Sequence, residues 1–190
     1  MNNSGYIKTA KNPDLITFKV MSGGTELPGK YGVKSIVVEK EVNRIPYARI
    51  VILDGSVPEQ DFKLSNEELL IPGKEIEITA GYHSKEETIF KGVVVKHNIK
   101  VRSGSSYLII ECRDKAVKMT LGRKSKYFYD SKDSDIIEEL IGNSGATADV
   151  EATSNSHKEL VQYRASDWDF MLTRAQANGK LCFVDNGTIK

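Results

Sequence analysis

From Asp14 to Arg113, apolar and polar residues alternate with a period of two, most plainly at Glu75-Ile76-Glu77-Ile78-Thr79-Ala80. This pattern predicts strands with one buried and one wet face. Ile36, Val38 and Val42 form one such face; Ala48, Ile50 and Ile52 a second; Val93, Val95, Ile99 and Val101 a third; Leu108, Ile110 and Cys112 a fourth. Asn43-Arg44, the His83 to Glu86 stretch and Ser103-Gly104-Ser105 are short polar breaks between them. Breaks this short suit antiparallel neighbours rather than crossover helices. Closing such strands on themselves removes edges that would recruit other chains, so an antiparallel β-barrel over residues 13–128 is predicted. Residues 1–12 are polar and are expected to form a flexible N-terminal arm.

From Ser131 the period changes. Ile136, Ile137, Leu140 and Ile141 repeat at helical spacing behind the capping candidates Ser131 and Asp133, with Gly142 near the end, which predicts a short amphipathic helix. Asp149 to Ala152 is read as a strand and Ser154 to His157 as a polar loop. A second helix follows. Ser166 is its cap, Asp167 and Asp169 place carboxylates against the exposed amides of the first turn, and Trp168, Met171, Leu172 and Ala175 form one apolar stripe. Gly179 stands where a left-handed terminator is wanted, with Leu181 expected to pack back on the helix. Leu181 to Val184 then reads as a buried strand entering the hairpin signal Asn186-Gly187. With only Thr188, Ile189 and Lys190 left for the returning strand, residues 129–190 are expected to be a small α/β domain truncated at its C-terminus. The fold class predicted is therefore β-rich α+β, its boundary near Tyr127 to Asp130.

Composition narrows the functional classes. The chain has 190 residues, 39% hydrophobic and 28% charged, with a formal net charge of +1. That length permits burial of roughly 70% of the unfolded surface without staples. The balanced charge gives no general pull toward nucleic acid or anionic membrane. No apolar leader and no bilayer-spanning run is present, which predicts cytoplasmic synthesis, no signal peptide and no direct membrane insertion. Cys112 and Cys182 show no metal-type spacing and are expected as reduced buried thiols.

No catalytic, cofactor or metal set emerges. His83, His97 and His157 are scattered without a nucleophile or paired carboxylate. Glu86-Glu87, Glu138-Glu139 and the group Asp130, Asp133 and Asp135 read as solvated turns, an exposed helix face and a helix N-terminus. One basic strip is a candidate protein interface: Arg113, Lys115, Lys118, Arg123, Lys124 and Lys126, followed at once by Tyr127, Phe128 and Tyr129. Cations beside aromatics also suit single-stranded nucleic acid, but the acidic helix after Asp130 supplies an internal counter-charge, so no nucleic-acid partner is expected.

Two stretches resemble the hub proteins of contractile tail-like machines, namely the VgrG or Rhs-element Vgr proteins of type VI secretion and the phage late-control protein D family. The first is VEKEVNRIPYARIVILDG (38–55); the second runs from ECRDKAVKMTLGRKSKYF (111–128) through QYRASDWDFMLTRAQANG (162–179). The resemblance implies an antiparallel tail-hub-type β-barrel followed by a small α/β domain, in a non-enzymatic homotrimer that joins a tube to a spike. It also implies a tube protein, a spike-tip protein and secreted effectors as partners, with cytoplasmic assembly followed by secretion with the apparatus. The matching positions Gln162, Tyr163, Ser166, Asp167, Trp168, Phe170, Arg174 and Gly179 are expected to serve the fold. The alternative is a barrel module that binds peptide or glycan at its mouth; a hydrolase is a third reading without named residues.

Overall fold

The computed structural model describes residues 16–55, 62–82, 85–102 and 105–190; the expected arm, His83 and the Ser103-Gly104 turn lie outside them. Seven antiparallel strands form the first layer: β1 (Ile16–Ser22), β2 (Thr25–Glu26), β3 (Val33–Glu39), β4 (Tyr47–Leu53), β5 (Glu75–Tyr82), β6 (Lys85–Arg102) and β7 (Ser105–Arg113). Their order is β2-β1-β5-β6-β7-β4-β3. Toward the β3 edge, Ala48, Ile50 and Ile52 of β4 face Cys112, Ile110 and Leu108 of β7, and all six are fully buried. Each large side chain in that double row contributes about 1.5–3 kcal/mol through removal from water. The predicted alternation of β4, β5 and β7 is therefore the core pattern of this sheet.

The long strand β6 changes partner midway. It pairs with β5 from Lys85 to Val93 and with β7 from Val93 to Arg102. A register shift between Val94 and Lys96 leaves Val95 as an extra residue, a β-bulge that flips the side-chain parity. Phe90 and Val94 point inward before it; after it, His97 and Ile99 lie opposite Ile110 and Leu108. The predicted face Val93, Val95, Ile99 and Val101 is thus corrected, because the bulge splits it between two sides of the sheet. Val42 also departs from its predicted face, lying exposed beyond the end of β3.

The sheet curls until β1 and β3 line common crevices. One, of about 480 Å³, is bounded by Phe18, Val33, Ile36, Val38, Ile78 and Ile89. Among the described residues no ladder joins these two edges.

The hydrophobic core changes between Cys112 and Ala116. Beyond it come a 3-10 turn (Lys115–Thr120), β8 (Lys124–Lys132), α1 (Asp133–Ser144), β9 (Thr147–Ala148), β10 (Ser156–Ala165), α2 (Asp167–Ala177), β11 (Val184–Asp185) and β12 (Thr188–Ile189). β8 and β10 form an antiparallel ribbon, while β12 pairs antiparallel with β11 and parallel with β9. Ile136, Leu140 and Ile141 of α1 pack with Trp168, Met171 and Ala175 of α2 over the ribbon's Phe128.

Several local expectations shift here. Gly142 is inside α1, and the left-handed terminator is Gly145 at φ +76°. Thr153 Oγ1 accepts from the Ser134 amide at 3.1 Å, so a residue distant in sequence caps the helix in place of Ser131. The strand read at Asp149 to Ala152 falls instead at Thr147–Ala148. The expected loop Ser154 to His157 runs into β10, a strand the pattern missed because Val161 and Tyr163 are apolar on one side while Gln162 is the buried residue on the other. Leu181 is 70% exposed and does not pack back; the buried strand there is only Val184–Asp185. The Asn186-Gly187 hairpin forms as predicted, with both residues left-handed.

Candidate functional site

The signature residues converge where β10 hands over to α2. Ser166 is extended and its Oγ accepts from the Asp169 amide at 3.1 Å, satisfying one of the donors that a helix start leaves open. Buried Gln162 holds the turn before it, donating to the Ala165 carbonyl at 3.1 Å and to Asp167 Oδ1 at 3.0 Å. The other Asp167 oxygen receives Lys124 of β8. Trp168 is buried among the apolar residues of both helices. Phe170 stacks on Phe128 with centroids 5.9 Å apart, and Gly179 takes φ +67° just past the helix. Tyr163 alone of the set points into solvent.

Arg174 leads to a constellation that sequence reading missed. Asp133, read from sequence as a carboxylate at a helix N-terminus, stands in the first turn of α1 and is buried there. Its carboxylate accepts a fork from Arg174, an amide N–H of Asn178 at 2.9 Å and a contact from His157 Nε2 at 3.0 Å. Burial pushes this carboxyl upward, but the hydrogen bonds from Arg174, Asn178 and His157 outweigh it and hold the group well below the usual carboxylate range. These residues come from three elements, so no local spacing could have announced them. The arrangement saturates the carboxylate and leaves it no vacant side for a substrate.

Half of the basic strip is ion-paired from within. Arg113 lies over the Tyr47 ring at 4.8 Å and donates to the Ile45 carbonyl. Lys115 pairs with Glu75 at 2.7 Å, Lys124 with Asp167, and Lys126 with Glu139. Lys118 and Arg123 are exposed. The strip thus spreads over the 3-10 turn and β8, and most of its charge braces neighbouring elements.

The hairpin Val184–Ile189 is pinned to the first core. Asp114 accepts from the Gly187 amide at 2.8 Å, Lys40 meets Asp185 at 2.6 Å, and Asn43 exchanges two hydrogen bonds with the Cys182 backbone. A crevice of about 610 Å³ opens between α1, α2 and this hairpin, lined by Ile137, Ile141, Met171 and Cys182. Both thiols are free, and burial pushes Cys112 up to about 12 and Cys182 to about 11, the opposite of nucleophile activation. His97 Nδ1 lies 3.1 Å from the Leu70 carbonyl. Among the described residues no group of three or more His, Cys, Asp or Glu could hold a metal ion, and no helix is long and apolar enough to cross a membrane.

This architecture is the fold of phage-tail and type VI secretion proteins. The 43 kDa tail protein of prophage MuSo2 from Shewanella oneidensis aligns with a TM-score of 0.71 at 11% identity, over 92% of this chain and 52% of the other. An E. coli component of the type VI secretion system, described as structurally similar to the T4 tail proteins gp27 and gp5, aligns at 0.59 and 12% identity, over 80% of this chain and 41% of the other. A chain of the lidded PdpA-VgrG complex of Francisella aligns at 0.57 and 14% identity, over 92% of this chain and 28% of the other. The chain spans about half the length of the solved tail proteins it matches. By sequence, it belongs to the Alg8 N-terminal domain family, whose model matches residues 12–190. The sequence family thus differs from the VgrG and late-control names that the motifs suggested, and VgrG enters at the level of fold. No curated protein matches the chain.

Proposed function

We propose that this chain is a non-enzymatic structural part of a tail hub in a contractile injection apparatus, of the type VI or a related tail-like kind. Its curved sheet would abut a tube and its ribbon-and-helix unit would brace that sheet toward a spike. The observation that carries this is the continuous correspondence of both core layers with a single tail protein, over 92% of the chain at a TM-score of 0.71. The saturated Asp133 carboxylate and the unactivated thiols favour architecture over chemistry. Under this reading the full-length protein is a homotrimer, assembled in the cytoplasm and delivered with the spike, with a tube protein, a spike-tip protein and effectors as its partners.

The test is co-purification of the full-length protein with the tube and spike-tip proteins of its own organism, followed by mass measurement and electron microscopy. A trimer carrying both is expected. A monomer that ignores both would sink the assignment.

A further inference from the structure

The β8–β10 ribbon covers the helices with one face and meets solvent with the other. Strand alternation sends Phe128, Leu160 and Gln162 inward, and the register places Tyr127 opposite Val161 and Tyr129 opposite Glu159 on the outer side. There Tyr127, Tyr129 and Tyr163 are 57%, 62% and 74% exposed, with Val161 beside them at 39%. Tyr127 and Tyr129 stack within 11° of parallel, centroids 6.2 Å apart. Stiff amphipathic rings grouped on one face of a ribbon are what protein interfaces favour, because they supply contact area at low entropic cost.

Charge around this face is uneven. Lys124 lies opposite Ala165 where β8 begins, and the amide of Arg164, a left-handed residue at the ribbon's bulge, donates to Ser125 Oγ at 3.2 Å. Arg123 and Arg164, both exposed, therefore share the end of the ribbon that carries Tyr127 and Tyr163. Lys124 and Lys126 nearby are taken by Asp167 and Glu139, whereas neither arginine has an ion-pair partner among the described residues. The acid on the face, Glu159, sits beside Tyr129, away from that end.

We propose that this tyrosine face docks a partner protein whose contacting segment presents apolar side chains to Tyr127, Tyr129, Val161 and Tyr163 and carboxylates to Arg123 and Arg164. Charge complementarity selects this occupant. Two unneutralised guanidinium groups match paired carboxylates, but are too few for the repeated phosphate contacts that hold a polynucleotide. A second copy in a two-fold contact would bring the same two arginines to the same surface. The assignment does not rest on the hub reading, since it names a surface and a partner chemistry that hold in any assembly.

The experiment titrates the protein against three fluorescent probes: a peptide of about ten residues alternating Asp or Glu with Leu and Val, its lysine-for-acid counterpart, and a thymidine oligonucleotide of about twenty bases. Anisotropy reports affinity and amide NMR reports the surface contacted. The acidic peptide is expected to bind and to shift Tyr127, Tyr129 and Tyr163, with the other two probes at least about tenfold weaker. Tyr127→Ser with Tyr163→Ser, and separately Arg123→Glu with Arg164→Glu, should each weaken it about tenfold. The Tyr→Phe pair should retain binding, and unchanged melting temperatures certify the fold of these surface variants. The proposal is overturned if the acidic peptide fails to bind at about 1 mM, or if the oligonucleotide binds more tightly. It is equally overturned if sedimentation shows a dimer that Tyr163→Ser abolishes, for then a second copy covers the face.

Discussion

Arg174 Nε donates to Asp133 Oδ1 at 2.6 Å while its Nη2 donates to Oδ2 at 3.1 Å, a two-pronged bond joining the last turn of α2 to the first turn of α1. The carboxylate side chain is only 3% exposed and the guanidinium 17%. Removing one partner strands the other charge away from water, which costs about 3–5 kcal/mol, more than an exposed pair is worth. Arg174→Ala should lower stability by that amount in urea denaturation, and replacing both residues by apolar ones of similar size should cost less. A loss under about 1 kcal/mol for the single variant would show that Asn178 and His157 hold the carboxylate without the arginine.

The same carboxylate sets an acid limit. Its folded-state value lies below the unfolded one, so the native state binds fewer protons and the pair's contribution is complete above the unfolded value of about 3.9. It is lost progressively as pH falls from there through the folded value. Asp114 opposes this. Burial, its largest influence, raises its carboxyl despite the amides of Ala116 and Gly187, so its ionisation weighs against folding and protonation relieves that cost as pH falls. Asp133→Asn should flatten the acid limb of stability against pH, and Asp114→Asn should steepen it, in urea melts from neutral pH down to about 3. Parallel limbs for parent and Asp133→Asn would refute the role given to Asp133.

These two carboxylates also show how far the sequence could be read. Alternation revealed β4, β5 and β7 because each buries one face against a neighbour that buries its own, and Ser166 revealed α2 because a cap is local chemistry. β10 was hidden because its inward residue Gln162 is polar and its outward residues include Val161 and Tyr163, which inverts the usual signal. The bulge at Val95 hid the true face of β6 in the same way. Asp133 lies 41 residues from Arg174, and Asp114 lies 73 from Gly187; no periodicity connects such positions. The signature residues were legible as a local machine, whereas the clasp behind Arg174 became visible only when the fold brought three elements together.

The Ser166 cap and the Trp168 anchor should separate cleanly in magnitude. Trp168 is almost fully buried against both helices, so Trp168→Ala is expected to cost about 3–5 kcal/mol through lost burial and a cavity. Ser166→Ala removes the bond its Oγ accepts from the Asp169 amide and the one it donates to Asp169 Oδ2 at 2.7 Å, and should cost about 1 kcal/mol. Denaturant melts in which both variants match the parent would contradict the docking of α2.

Asp114 ties the hairpin to the first core through the Gly187 amide. It is fully buried, so Asp114→Ala leaves the amides of Ala116 and Gly187 without that acceptor, at about 1–3 kcal/mol. The local signature is sharper than the global one. Hydrogen exchange at Gly187 should accelerate more than at the fully buried Ile50 of β4, since the hairpin is held by few bonds of its own. Equal protection at Gly187 in parent and variant would mean that Lys40, Asn43 and the pairing with β9 secure the hairpin without Asp114.

Two glycines should respond to alanine with opposite sign. A Cβ at Gly92 would run into the Arg113 carbonyl and the Phe90 ring, at the point where β6 passes from β5 to β7. Backbone on one side and a fully buried ring on the other cannot retreat without moving the sheet, so Gly92→Ala is expected to cost about 1–3 kcal/mol. Gly142 lies inside α1 with nothing within 4 Å of its Cβ position. There alanine lowers the entropy of the unfolded chain and favours the helix, so Gly142→Ala should stabilise by about 0.5–1 kcal/mol. Thermal melts of the two variants measure both, and destabilisation by Gly142→Ala would mean that the helix needs its glycine as a terminator, contrary to the left-handed turn at Gly145.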